Sequence, residues 1–408
     1  MSEWFGKLPE RWSLKRVGTS FSENTTSNIA LLSDIPMQFR FGEIVKKRIM
    51  EKDDTLLASI RRYVVVQPND IMVNGLNLNY DFITQRVAIV HEKGCITPAY
   101  ISLRPNCYIN PMFACYLLKA MDGQKILNGL GTGIRLTLSF SELKKTYLPS
   151  PPLPEQDQIV RYLDWKVSQI NRLINAKKKQ IGLLQEQKQA VVNEAVRCTE
   201  SCKKCKLKNL AVFKSGTNLT SLQIEPAEKY PVYGGNGLRG YYSEYSYSGE
   251  YLLIGRQGAL CGNVHYVNEK FWPTEHAVTV KPRDHVNITW LYYLLTDMNL
   301  NQYSLAAAQP GLSVECVINL PAYFPTLEEQ QTIAAYLDQQ CTRIDTIIAK
   351  FNDEIALLHE YRTRLISDVV TGKLDVRGVA VPEYEAVEEA GDAAEDEPEE
   401  MEVEENAD

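Results

Sequence analysis

The chain has 408 residues, 44% hydrophobic and 23% charged, the balance of an ordinary globular protein with room for two or three cores. It has no run apolar enough for a membrane span, and its opening Met-Ser-Glu-Trp-Phe-Gly-Lys lacks the core of a signal peptide, so the expected location is the cytoplasm with no membrane partner. The net charge of −7 hides an uneven distribution: fourteen acids and no Lys or Arg lie beyond Pro382, and without them the body carries about +7. That excess is compatible with a polyanionic partner through phosphate contacts, although by itself it identifies none.

In chain order, residues 7–17 read as a lead-in that docks a Trp and aliphatic side chains elsewhere. β-branched runs then predict strands at Tyr63-Val-Val-Val-Gln, Asp70-Ile-Met-Val-Asn, Arg86-Val-Ala-Ile-Val and Ala99-Tyr-Ile-Ser-Leu. A helix is predicted from Pro111, and Ser141 is placed to cap a short one before the prolines at 149–154 stop it. From Leu153 to about Arg197 apolar residues recur mostly every three or four: Ile159, Leu163, Val167, Ile170, Ile174, Ile181, Leu184, Val191 and Ala195. That is the seam of one long helix wound against another.

The chain supplies the partner. Leu153-Pro-Glu-Gln-Asp-Gln-Ile-Val-Arg-Tyr-Leu-Asp164 is restated, with its numbering shifted by 174, as Leu327-Glu-Glu-Gln-Gln-Thr-Ile-Ala-Ala-Tyr-Leu-Asp338, and the seam repeats without a gap. Before each helix the likeness is fainter: Arg86-Val-Ala-Ile-Val corresponds to Asn263-Val-His-Tyr-Val, and Phe113–Leu118 to Trp290–Leu295, both shifted by 177. Lys206-Leu-Lys-Asn-Leu210 echoes Ser13-Leu-Lys-Arg-Val17. A head-plus-helix unit is thus written twice, with similar helices and diverged heads, which suits one spacer presenting two binding specificities. Antiparallel helices would make it a two-headed rod.

The nine cysteines, odd in number and scattered, are read as free thiols; Cys198, Cys202 and Cys205 approach metal-ligand spacing but lack a fourth Cys or His, so no metal site is expected. Gly235-Asn-Gly-Leu-Arg-Gly240 fits a dinucleotide fingerprint by letters, but the Tyr-rich text after it is no helix, so a turn is expected instead. The sequence has neither an Asn/Asp-Pro-Pro-aromatic motif for amino methylation nor a Gly-Lys-Ser/Thr phosphate loop, and no catalytic residue is assigned.

Three stretches carry a resemblance: Pro151-Pro-Leu-Pro-Glu-Gln156 with Tyr162-Leu-Asp164, its repeat Pro325-Thr-Leu-Glu-Glu-Gln330 with Tyr336-Leu-Asp338, and Tyr233–Gly240 with Gly255–Gly262. Over residues 1 to about 376 the chain resembles the specificity subunits of type I restriction-modification enzymes. The resemblance implies an α+β fold: two globular α/β target recognition domains at 1–152 and 201–326, joined by long antiparallel coiled-coil helices at 153–200 and 327–376 with a pseudo-twofold repeat. An acidic, disordered tail at 377–408 is read from its composition. Each head would read half of a bipartite site in double-stranded DNA, and the helices would set the spacer and dock two methyltransferase subunits, with restriction subunits joining the complex. S-adenosylmethionine, ATP and Mg would belong to those partners, leaving no cofactor in this chain. Glu155, Gln156, Tyr162, Asp164, Glu329, Gln330, Tyr336 and Asp338 are assigned to capping or partner docking.

Candidate DNA-reading residues lie at turns and strand ends, where amides and guanidinium groups can reach base edges. In the first head they are Asn74, Asn77 and Asn79, with Thr132 and Arg135 in the Gly131-Thr-Gly-Ile-Arg135 loop. In the second they are Tyr233, Asn236, Arg239, Arg256, Gln257 and His276, with Gln309 in Gln309-Pro-Gly-Leu312. A solvated hairpin would explain Asn236 and Arg239 without DNA, a bulge Arg256, an ordinary turn Asn74, and a packed or surface histidine His276. Lys177–Lys179, Arg362 and Arg364 lie on polar helix faces that could meet spacer phosphates or simply solvent. The alternative reading of the whole chain is a coiled-coil adaptor whose heads bind proteins.

Overall fold

The computed structural model describes residues 4–40, 42–48, 54–79, 85–134, 136–197, 202–258, 260–304 and 311–391. The chain divides into two compact units, Met1–Lys177 with Asp353–Asp408, and Lys178–Asn352. Two uninterrupted 44-residue helices, Leu153–Val196 and Leu327–Val370, contribute to both units. Among the described residues no helix is long and apolar enough to cross a membrane.

In the first unit the strands Phe21–Glu23, Ile101–Pro105, Ile71–Val73 and Val87–Ile89 form, in that spatial order, an antiparallel sheet. Side chains alternate across such a sheet, and here both faces are covered. Ile71, Val73 and Val87 join Phe113 and Leu117 of the helix Pro111–Gly123 in the main core, whereas Met72 and Ala88 meet Met37, Ile44 and Val66 on the other side. The main core continues into the helix pair through Ile159, Leu163, Ile170, Ile174, Leu365 and Val369. Here the two long helices run antiparallel, since Asn171 bonds Arg362 while Lys177 pairs with Glu354.

The second unit repeats the plan with a larger sheet. Its order is Ala211–Ser215, Ala277–Pro282, Tyr247–Gly255, Val264–Pro273, Tyr230–Gly234 and Gly237–Tyr242. The helix Ile288–Asp297 packs Trp290, Leu291, Leu294 and Leu295 against it. Lys188 bonds Asp345, and Val192 and Val196 pack with Leu337 and Cys341, so this portion of the pair is antiparallel too. In these last turns Val192 and Val196 are the buried residues, while Val191 and Ala195 flank them.

Several expectations change. The short helix is Phe140–Leu143 with Ser139 at its N-cap position; Ser139 and Ser141 both bond Glu142 instead of the backbone. The echo near the heads' starts shifts by three positions: the short helices begin at Val17 and Leu207, so Arg16 corresponds to Lys206. Cys202 is disulfide-bonded, which removes it from any free-thiol or metal role, while seven other cysteines are free and Cys198 lies outside the described residues. The acidic tail is not solvated along its whole length. Residues 385–390 lie in hydrogen-bonding contact with the helix pair of the first unit, and Arg362 is engaged there.

Candidate nucleic-acid interface

Each head is fastened to its own long helix by the same two clamps. Gln156 accepts from Asn110 N at 2.8 Å and donates to Pro151 O at 2.8 Å; Gln330 accepts from Asn287 N at 2.9 Å and donates to Pro325 O at 3.0 Å. Asn110 and Asn287 are in turn the N-caps of the head helices, their side chains taking the orphan amides of the first turn. Further along each long helix, the Tyr116 hydroxyl donates to Asp164 at 2.7 Å and the Tyr293 hydroxyl to Asp338 at 2.9 Å. Burial raises the Asp164 carboxyl above its ordinary range, with the Tyr116 bond only partly opposing it.

For the two glutamines this corrects the docking assignment. Gln156 is 1% exposed and Gln330 0%, so neither offers a surface to a partner. Glu155 accepts from Trp12 Nε1, Glu329 is turned back onto Thr326, and Tyr162 is buried. On the second long helix Glu329, Tyr336 and Asp338 remain exposed, so that end keeps an outward face.

In the first head two loops come together. Asn74 accepts from Leu76 N, Asn77 adopts the left-handed backbone with φ 48°, and Asn79 donates to Ile134 O at 3.0 Å. Across from them Thr132 and Thr137 exchange backbone bonds, and Leu138 N reaches Gly75 O. Thus Asn74, Asn77, Asn79 and Thr132 share one surface, with Ile134 98% exposed at its tip. Arg135 lies outside the described residues. Sequence reading missed the organiser of this surface: buried Arg86 donates to the carbonyls of Asn74, Leu76 and Asn77. The available signal was an arginine opening an otherwise apolar strand.

In the second head the equivalent bond is Leu312 N to Arg256 O. The hairpin of Tyr230–Gly234 and Gly237–Tyr242 leans over the end of the strand Tyr247–Gly255, because Gly235 and Gly255 allow the approach. A Cβ on Gly255 would sit 1.9 Å from Gly235 O. The result is an open groove of about 570 Å³ lined by Asn236, Leu238, Arg239, Gln257, His276 and glycine backbone. Four residues singled out from separate parts of the sequence therefore meet. Arg239 is exposed and bonds only Ser221 Oγ among the described residues.

Two candidates play supporting parts. Arg256 is held by Leu312 O, its backbone N–H donating to His276 O. Burial, together with the bond that Tyr233 donates to Glu269, pushes the Tyr233 phenol far up. Gln309 lies outside the described residues. His265, which sequence reading passed over, sits 3.4 Å from where a side chain on Gly237 would begin, and burial lowers its imidazole. Arginine, amides and backbone around a groove can donate and accept hydrogen bonds in a fixed pattern, which is readout chemistry.

The profile of the type I restriction modification DNA specificity domain matches residues 83–183 and 200–357. The Escherichia coli type I restriction enzyme EcoprrI specificity subunit is 39% identical over 216 residues, 49% of this chain and 53% of the relative. A putative type I restriction enzyme specificity subunit of Haemophilus influenzae is 28% identical over 111 residues, 26% of this chain and 29% of the relative. The chain thus spans about half, or less, of the length of these curated relatives. Among solved structures, a chain from work on complex assembly and conformational transition of the type I R-M system shares the fold. The TM-score is 0.69 at 16% identity, covering 90% of this chain and 100% of that one.

Proposed function

Because this chain belongs to the type I restriction modification DNA specificity family, we propose that it is the DNA-reading subunit of a type I restriction-modification complex. The observation that carries this reading is the groove of the second head, where Asn236, Arg239, Gln257 and His276 converge. The joined loops around Asn74 and Thr132 are its counterpart in the first head. Asn and Gln match the N6/N7 edge of adenine, and Arg matches guanine O6/N7 or a phosphate. Each head reads half of a bipartite duplex site and the two readouts add.

The chain itself binds and orients; adenine methylation and ATP-dependent cleavage belong to two methyltransferase subunits and to restriction subunits, which hold S-adenosylmethionine, ATP and Mg. The long helices carry those partners and set the unread spacer. The test is co-expression with the neighbouring methyltransferase subunit and mapping of methylated adenines in the host genome. A split motif with a fixed gap is expected, and replacing residues 206–326 with another head should change one half only. Methylation independent of this chain would leave the protein-binding adaptor as the better reading.

A further inference from the structure

The polar side chains that hold the tail have residue types and a pairing that their repeat counterparts lack. Ser168, Asn171 and Asn175 stand at i, i+3 and i+7, on one face of the first long helix. Ser168 Oγ donates to Glu385 O at 3.1 Å and accepts from Val387 N at 2.8 Å. Asn171 donates to Val387 O at 3.0 Å; Asn175 donates to Glu388 O at 2.8 Å and accepts from Ala390 N at 2.9 Å. Glu389 completes the contact, 2.7 Å from Arg362 and 3.4 Å from His359. The ladder thus reads an extended backbone, with one carboxylate fixing the register.

By the repeat that aligns Asp164 with Asp338, the counterparts are Thr342, Asp345 and Ala349, and the counterpart of Arg362 is Lys188. In the second unit Lys188 is served by Asp345 itself, at 2.7 Å. In the first unit the matching position is neutral Asn171, and the tail's Glu389 supplies the missing charge. Among the described residues no second segment makes the corresponding bonds.

We propose that Ser168, Asn171, Asn175 and Arg362 form a docking site for an extended acidic segment, occupied by this chain's own residues 385–390. This strap makes the two repeat-related helix faces unequal, one covered and one open, toward partner subunits. The inequality rests on the complex described under Proposed function.

Hydrogen exchange on the full chain tests the strap. The Val387 and Ala390 amides should exchange about ten-fold more slowly than in a free peptide of residues 382–391, and the protection should vanish in the Asn171→Asp/Asn175→Ala variant. Free-peptide rates in the full chain overturn the docking. The inequality is read by titrating the methyltransferase subunit into the full chain, a deletion of 382–408 and the double variant, using native mass spectrometry. The full chain should bind the first copy about ten-fold more tightly than the second, the two altered chains within about three-fold. The same ratio in all three overturns the masking alone. No binding by any form overturns the complex and the masking together.

Discussion

Asp164 is a carboxylate kept inside the joint between head and helix, where it costs the fold something. Burial raises its pKa, so the folded state holds this proton more tightly than the unfolded chain, and stability from this group falls as pH rises through the raised value. Asp164→Asn keeps an oxygen to accept from Tyr116. Urea unfolding at neutral pH should find the variant at least as stable as the parent, with the difference closing below the ordinary carboxylate range; a variant markedly less stable at neutral pH would contradict this. At the groove, Arg239 and Asn236 should separate. If Arg239 grips a phosphate, Arg239→Ala weakens binding about evenly across sequences and reduces the salt slope by about 1. Asn236→Ala should relax one base position at about 1–3 kcal/mol, as read from methylation motifs and competition binding. The residue types were visible in the sequence, whereas the meeting of Asn236, Arg239, Gln257 and His276 was not, because strand pairing and a glycine contact bring them together.

At the scale of elements, local patterns located both long helices and four strands of the first head, at Val64–Val66, Ile71–Val73, Val87–Ile89 and Ile101–Pro105, since side-chain direction repeats locally along helix and strand. The Glu-Gln-x-x-Ile-x-x-Tyr-Leu-Asp repeat was equally plain, but which of its residues are spent inside the fold was not. The resemblance assigned its glutamines and aspartates to capping or docking, and only the head's fold shows that Asn110 N bonds Gln156 and the Tyr116 hydroxyl bonds Asp164. The hairpin over the strand end depends on absent side chains. Gly255→Ala forces a Cβ into Gly235 O, a backbone atom that cannot swing away. The expected cost is about 1–3 kcal/mol of stability. It should appear as a lower melting temperature together with loss of the half-site read by the second head, the other half retained. Unchanged methylation of both halves would show that the close approach is dispensable.

For the molecule as a whole, the proposed ruler has a length test. Seven residues inserted after Gly182, and seven more after Lys350 in the facing stretch, add about 10 Å of helix, or about three base pairs of B-DNA. Genome-wide mapping of methylated adenines should then return the same half-sites with a wider gap; an unchanged gap would refute the spacer role. The doubled plan was legible from the constant shift that carries Leu163 onto Leu337 and Leu184 onto Leu358, and from helices more alike than the heads they follow. The tail was not. Its composition predicts solvation, yet residues 385–390 find partners at Ser168, Asn171 and Asn175, on the far side of the whole second head in the sequence. Sequence by itself determined the repeat, the helices, the basic body and the kinds of group available at the turns, because these follow from composition and local period. Tertiary structure decided which polar groups are spent inside the fold and which are left facing a ligand, because a hydrogen bond depends on distance in space and is indifferent to separation along the chain.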